Sequence, residues 1–115
     1  MTVQEIIERL NLGVVTSADP NREITGGYAS DLLSCVMAGA KAGNVWVTLQ
    51  AHPNVVAVAS LLDLAAVVIT EGVVPDAEAT AKAEQNSVTL LQTQKTTYVV
   101  VGELTSAGVK GTGAE

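Results

Sequence analysis

Two periods of hydrophobic and polar residues take turns along this chain. Thr2-x-x-Glu5 forms a capping box, and Ile6, Ile7 and Leu10 behind it fall at helical spacing, which predicts a short helix ending at Leu10. Leu12 to Thr16 reads as a short strand, and Ser17-Ala18-Asp19-Pro20-Asn21 is turn chemistry throughout. A second short strand over Glu23 to Thr25 leads into Gly26-Gly27, which free the backbone to turn. Ser30 or Asp31 then caps a helix carrying Leu32, Leu33, Val36, Met37 and Ala40 on one face, with Gly43-Asn44 as its C-cap.

The rest alternates more plainly. Val45 to Leu49 is a strand, and Pro53 opens a helix whose Val55, Val58, Ala59 and Leu62 share a face. Ala66 to Thr70 is a continuous apolar run of the kind a central strand shows when both its faces are covered. Pro75 and Asp76 start an Ala-rich helix ending near Asn86, Val88 to Leu91 is the next strand, and Thr96 or Thr97 caps a last helix through Ala107 with Gly108 behind it. The β-propensity of Tyr98 to Val101 opposes that last helix; the alternation and the flanking Thr and Gly favour it. Strands alternating with helices predict one α/β domain over residues 1–109, with a mainly parallel sheet of four or five strands, and residues 110–115 as a disordered tail.

Composition narrows the partners. Hydrophobic residues make up 48% of the 115, yet aromatics are 3% with no Phe, so Val, Leu, Ile and Ala must build the core. Twelve acidic residues against six basic give a net charge of -6 without a basic cluster, which argues against nucleic acid or an anionic membrane as partner. A single cysteine, Cys35, rules out an internal disulfide, and its neighbours lack the usual zinc spacing. Polar residues interrupt the N-terminus where a signal peptide would be basic then apolar, and Asp63 and Glu71 break the longest apolar stretches; the expected location is the cytoplasm.

In an open α/β sheet, ligands bind at the carboxyl ends of the strands. On these strand assignments the rim loops are 25–28, 50–54, 70–72 and 92–95. The candidate ligand-binding or interface residues are therefore Thr25, Gly26, Gly27, Tyr28, Asp31, Gln50, His52, Asn54, Thr70, Glu71, Gln92 and Thr93. Each has a plainer alternative. Gly26-Gly27 either shape a contact or only turn the chain, Asp31 is an N-cap before it is a general base, and His52 has no sequence-near carboxylate, Cys or second His and is expected to hydrogen-bond its own loop. Cys35 is expected to be a small core residue, while Trp46 and Tyr98 are core fillers or interface anchors. Gly108-Val109-Lys110-Gly111-Thr112-Gly113 fails the phosphate-loop pattern because Lys110 precedes the second glycine, and the chain contains no G-x-S-x-G, H-E-x-x-H or G-x-G-x-x-G.

At residues 24–34, then Val36-Met37-Ala38, Val45-Trp46-Val47-Thr48 and His52-Pro53-Asn54, the chain resembles the DRTGG domain family, and the likeness continues through 66–72, 75–84 and 96–108. The segment Glu23-Ile24-Thr25-Gly26-Gly27 keeps the Thr-Gly-Gly of the family's signature and lacks its Asp-Arg. The resemblance implies a three-layer α/β/α fold similar to the N-terminal domain of HPr kinase/phosphorylase. Related domains occur beside CBS domains in regulated pyrophosphatases and in phosphate acetyltransferases, as regulatory or dimerising modules whose catalytic sites lie elsewhere. It carries over no catalytic position, and without a Walker A motif it implies no kinase activity.

The first expectation is thus a non-catalytic regulatory or dimerisation module of a cytoplasmic, bacterial-type metabolic system. It would form a homodimer, sense a small ligand or steady a partner enzyme, and need no cofactor and no metal. The alternative is a domain binding a nucleotide or phosphorylated metabolite at Gly26-Gly27, where helix N-terminal amides would meet the phosphate. A second alternative is an enzyme that enlists His52, Asp31 and Cys35.

Overall fold

The computed structural model describes residues 1–113. In chain order the elements are α1 (Val3–Leu10), β1 (Gly13–Thr16), β2 (Gly26–Ala29), α2 (Leu33–Gly39), β3 (Asn44–Thr48), α3 (Pro53–Leu61), β4 (Ala66–Ile69), α4 (Ala77–Gln85), β5 (Leu90–Gln92) and α5 (Thr97–Ser106). The five strands form one sheet in the order β1-β5-β4-β3-β2; β2 to β5 are parallel, and β1 closes one edge antiparallel to β5.

Strand alternation divides the core between the two faces. Val45, Val47, Ala66, Val68 and Leu91 point to one side, where Val3, Ile6 and Leu10 of α1 and Val100 and Leu104 of α5 cover them. Trp46, Val67, Ile69 and Leu90 point to the other, under Val36 of α2, Val55, Val58 and Ala59 of α3, and Ala83 of α4. The result is the three-layer α/β/α sandwich with a mainly parallel sheet. Trp46 is the largest wholly buried side chain, and its Nε1–H donates to the Ser30 carbonyl at 2.9 Å, so it fills the core and cannot anchor an interface.

Helix signals in the sequence are realised in hydrogen bonds. The Thr2 hydroxyl accepts from the Glu5 N–H at 3.2 Å while the Thr2 N–H donates to the Glu5 carboxylate at 3.0 Å. That backbone donor, with the hydroxyl, holds the Glu5 carboxyl below its usual range. Asp76 and Thr96 cap α4 and α5 as the sequence predicts.

Three expectations need correction. The second strand is not 23–25 followed by a glycine turn; it is Gly26–Ala29, with both glycines inside it, in parallel register with Asn44 to Val47. α2 is only 7 residues long and ends at Gly39, because Ala40 already has an extended backbone; it buries Val36 and leaves Leu32, Met37 and Cys35 exposed. Finally, Lys110 to Gly113 are not a disordered tail. The Gly27 N–H donates to the Lys110 carbonyl at 2.9 Å, the Thr112 N–H donates to the Gly27 carbonyl at 2.8 Å, and Val109 is buried. Ala114 and Glu115, the end of the expected tail, lie outside the described residues.

Candidate functional site

Because β2 to β5 run the same way, their carboxyl ends make one rim. β2, β3 and β4 lead into α2, α3 and α4 on one face of the sheet, whereas β5 leads into α5 on the other. Adjacent loops that leave to opposite faces open a crevice between them, and here that switch falls between β4 and β5. A cavity of about 350 Å³ lies there, between Gly72-Val73-Val74 and Gln92-Thr93-Gln94-Lys95, with Asn11 and Gly13 beside it. The loop after β4 turns sharply through two left-handed residues, Glu71 (φ 62°) and Gly72 (φ 74°). A side chain on Gly72 would also displace the exposed Gln94 amide, whose Oε1 would lie 2.7 Å away, but it is the left-handed backbone that favours glycine here. Two ladder-like bonds hold the loops together: Glu71 N–H to the Lys95 carbonyl at 2.8 Å, and Gly72 N–H to the Thr93 carbonyl at 3.0 Å.

Some rim groups are already occupied. The Thr70 hydroxyl lies 2.6 Å from that of Thr97, and the Glu71 carboxylate accepts the Thr97 N–H at 2.8 Å. A carboxylate therefore stands at the start of α5, the place a phosphate would otherwise seek. Lys95 Nζ donates to the Leu10 carbonyl at 2.7 Å and pairs with Glu103 at 3.0 Å. Lys95, the one cation lining the crevice among the described residues, is thus engaged. Gln92 differs: its Oε1 is buried and has no hydrogen-bond partner among the described residues.

A second depression, of about 440 Å³, brings Asp31, Gln50, His52 and Asn54 together with Ser34 and the apolar Leu32, Leu33 and Val55. It lies two strands from the first, about 10 Å by strand spacing. Asp31 is not the cap of α2. Its Oδ1 accepts the Thr48 hydroxyl at 2.8 Å and the Leu49 N–H at 2.9 Å, tying the chain after β2 to the end of β3, and the Ser30 hydroxyl takes the Leu32 N–H instead. His52 is the N-cap of α3, its Nδ1 accepting the Asn54 N–H at 3.1 Å, which leaves Nε2 as the outward nitrogen. The side-chain amides of Gln50 and Asn54 make no hydrogen bond to another described residue. No hydrogen bond joins Asp31 to His52 among the described residues, and Cys35 does not line this depression.

Thr25, Gly26, Gly27 and Tyr28 are elsewhere. Gly26 pairs with Asn44, the first residue of β3, so the glycine pair sits at the amino ends of the parallel strands, opposite the rim. Its amides start no helix, and that of Gly27 is bonded to Lys110. Buried Asn44 knots the region: its Nδ2 donates to Thr25 Oγ1 at 3.1 Å, and its Oδ1 accepts the Thr112 hydroxyl at 2.8 Å and the Lys41 N–H at 2.9 Å. A Cβ on Gly26 would stand 2.6 Å from Thr112 Oγ1 and 3.2 Å from the Lys110 carbonyl, so the glycine is there to let the C-terminal segment lie close. Tyr28 is half-buried and donates its hydroxyl to the Cys35 carbonyl at 3.1 Å.

Gly72, Gln94 and Lys95 around the crevice lie in the predicted rim loops 70–72 and 92–95 without being singled out as candidates, and Asn44 in the knot lies outside every predicted rim loop. Gly72 carries a signal in the sequence, a glycine in the short polar loop after an apolar strand; Asn44 carries none beyond its place next to Gly43.

No family model matches the chain, and a search of curated proteins finds no match. Among solved structures it is similar to the CBS and DRTGG domains of the regulatory region of Clostridium perfringens pyrophosphatase, in a complex with the activator diadenosine tetraphosphate. The TM-score is 0.72 at 13% identity, over 90% of this chain and 45% of that one, so the chain spans under half of its neighbour and the likeness is one of fold. Among the described residues no helix is long and apolar enough to cross a membrane.

Proposed function

We propose that this chain is a regulatory module of the DRTGG type that binds a small ligand of the nucleoside class on the carboxyl rim and performs no chemistry of its own. The observation that carries this reading is the contrast on the rim. Gln50, Asn54 and Gln92 offer hydrogen bonds that the fold does not use, while every carboxylate and cation near them holds part of the structure. The similarity to a regulatory region bound to a dinucleotide activator supports the ligand class. Among the described residues the rim offers no unengaged cation, so recognition falls on base and sugar and not on phosphate, and the glycine pair is unsuited to an anion because Gly27's amide is occupied. Asp31, His52 and Cys35 are not linked as a nucleophile, base and orienting group would be.

Isothermal titration of the full chain with adenosine and with diadenosine tetraphosphate tests this. Binding of both, with dissociation constants within about tenfold of each other, is expected. A ligand whose affinity climbs steeply with each added phosphate would contradict the reading.

Self-association is the second part of the proposal. Beside β2 an apolar groove of about 350 Å³ runs between Gly27, Ala29, Val47 and Val101, Leu104, Val109, and on α5 Tyr98 is 89% exposed. A symmetric dimer would cover this face. Light scattering should show a dimer at micromolar concentration that Val101→Asp converts to monomer; a wild-type monomer would refute it.

A further inference from the structure

The crevice at the β4–β5 switch contains a feature that folding alone does not require. Gln92 ends β5, on the strand's α2–α4 side, and its Oε1 is shut off from solvent without a partner. A buried acceptor left unpaired costs about 1–3 kcal/mol, and Met or Leu at this position would avoid the cost. The surroundings say what would satisfy it. Val73 and Val74 give the cavity an apolar wall, with Val74 67% exposed, and Gly13 and Gly72 present backbone without side chains. Next to them Gln94, itself exposed, carries both a donor and an acceptor. Lys95 is held by Leu10 and Glu103 and brings no free positive charge. A partly apolar crevice with a buried acceptor and an amide beside it suits an uncharged heteroaromatic group with an N–H edge.

We infer that this crevice receives the amino edge of a nucleobase, the Gln92 side chain shifting so that its Oε1, inaccessible in the unliganded fold, accepts the exocyclic N–H. The inference rests on the nucleoside reading above and adds the point of contact. Gln92 acts here as a specificity residue, because a site built around a buried acceptor discriminates against an analogue that lacks the matching donor.

The test uses adenosine and purine riboside, which differ only in the 6-amino group, titrated into the 15N-labelled full chain. Adenosine should shift the backbone amides of Gly72 and Gln94 and the Gln92 side-chain NH2, and purine riboside should bind at least about tenfold more weakly. In Gln92→Met the two ligands should bind alike, and the variant should melt about 4–8 °C higher because the unpaired acceptor is gone. Gln92→Glu guards against a repacking artefact: it keeps both the shape and an acceptor oxygen, so it should retain the preference for adenosine that Gln92→Met loses, and its loss there too would overturn the inference. Equal binding of the two ligands by the wild type, or an adenosine preference that survives in Gln92→Met, overturns the inference while leaving the nucleoside reading in place. Absence of any adenosine shift on the rim at millimolar ligand overturns both.

Discussion

The two ends of the parallel sheet leave similar polar residues in opposite states. At the amino end Thr25, Asn44 and Thr112 are interlocked, the Thr25 hydroxyl also donating to the Ala42 carbonyl at 2.8 Å, and Gly27 gives both its backbone groups to residues 110–112. At the carboxyl end Gln50, Asn54 and Gln92 stand with hydrogen-bonding capacity to spare. Polar groups whose bonds are complete hold architecture, because disturbing them leaves buried partners unsatisfied. Polar groups with bonds left over, gathered in a depression, are where a ligand gains most. The difference moves attention from the glycines, the most conspicuous residues in the sequence, to the opposite rim.

Substitutions can break this contrast, and the largest effect is expected at the amino end. Asn44→Ala removes a buried side chain with three bonds and strands Thr25, Thr112 and the Lys41 N–H, so chemical denaturation should show a loss of about 3 kcal/mol. Gly26→Ala forces a methyl against Thr112 Oγ1 and the Lys110 carbonyl; a loss of about 1–3 kcal/mol is expected, with hydrogen exchange at Gly27 and Thr112 accelerating as the C-terminal segment lifts. On the rim, Gln50→Ala and Asn54→Ala should change stability by less than about 0.5 kcal/mol yet weaken nucleoside binding by about tenfold, seen as calorimetric titration against unchanged melting. A rim variant that unfolds the protein, or an amino-end variant that leaves it untouched, would erase the distinction.

The smallest effect concerns pH. Arg22 Nη1 donates to Asp63 Oδ1 at 2.7 Å, and this bond holds the Asp63 carboxyl below its ordinary value. A depressed folded-state pKa adds stability at pH above the unfolded carboxylate value of about 3.9, and that stability is lost as the pH falls through the folded value. Asp63 is largely exposed, so solvent screening keeps the contribution below about 1 kcal/mol. Asp63→Asn should flatten the stability profile below about pH 4 without touching the rim, checked by urea melts across that range.

Much of the fold was legible because its signals are local. The Thr2-x-x-Glu5 box, Pro53 at the first turn of α3, Asp76 before α4 and Thr96 before α5 each mark a helix start by chemistry within a few residues. The apolar run from Ala66 to Ile69 marks a central strand buried on both faces. What misled was long-range. Gly26-Gly27 look like a turn, but their freedom is used for close packing by a segment more than 80 residues later in the chain, and residues 110–113 look disordered because glycines and small polar residues give no sign of the partner strand. Strand ends in the sequence place 50–54, 70–72 and 92–95 on the carboxyl rim, where the structure has them, whereas 25–28 came along only because β2 was placed three residues early. Asp31 read as a cap because Asp before a helix usually is one; its role in bridging to Thr48 depends on a neighbouring strand that sequence periodicity does not place.

The most direct test of the central claim is a chemical-shift map of the 15N-labelled chain titrated with adenosine, residue by residue across both ends of the sheet. The account predicts shifts in the rim segments 50–54, 70–74 and 92–95, with Gly26, Gly27 and residues 110–112 unmoved. Shifts confined to the glycine strand and the segment paired with it would contradict the account and return the ligand site to the amino end.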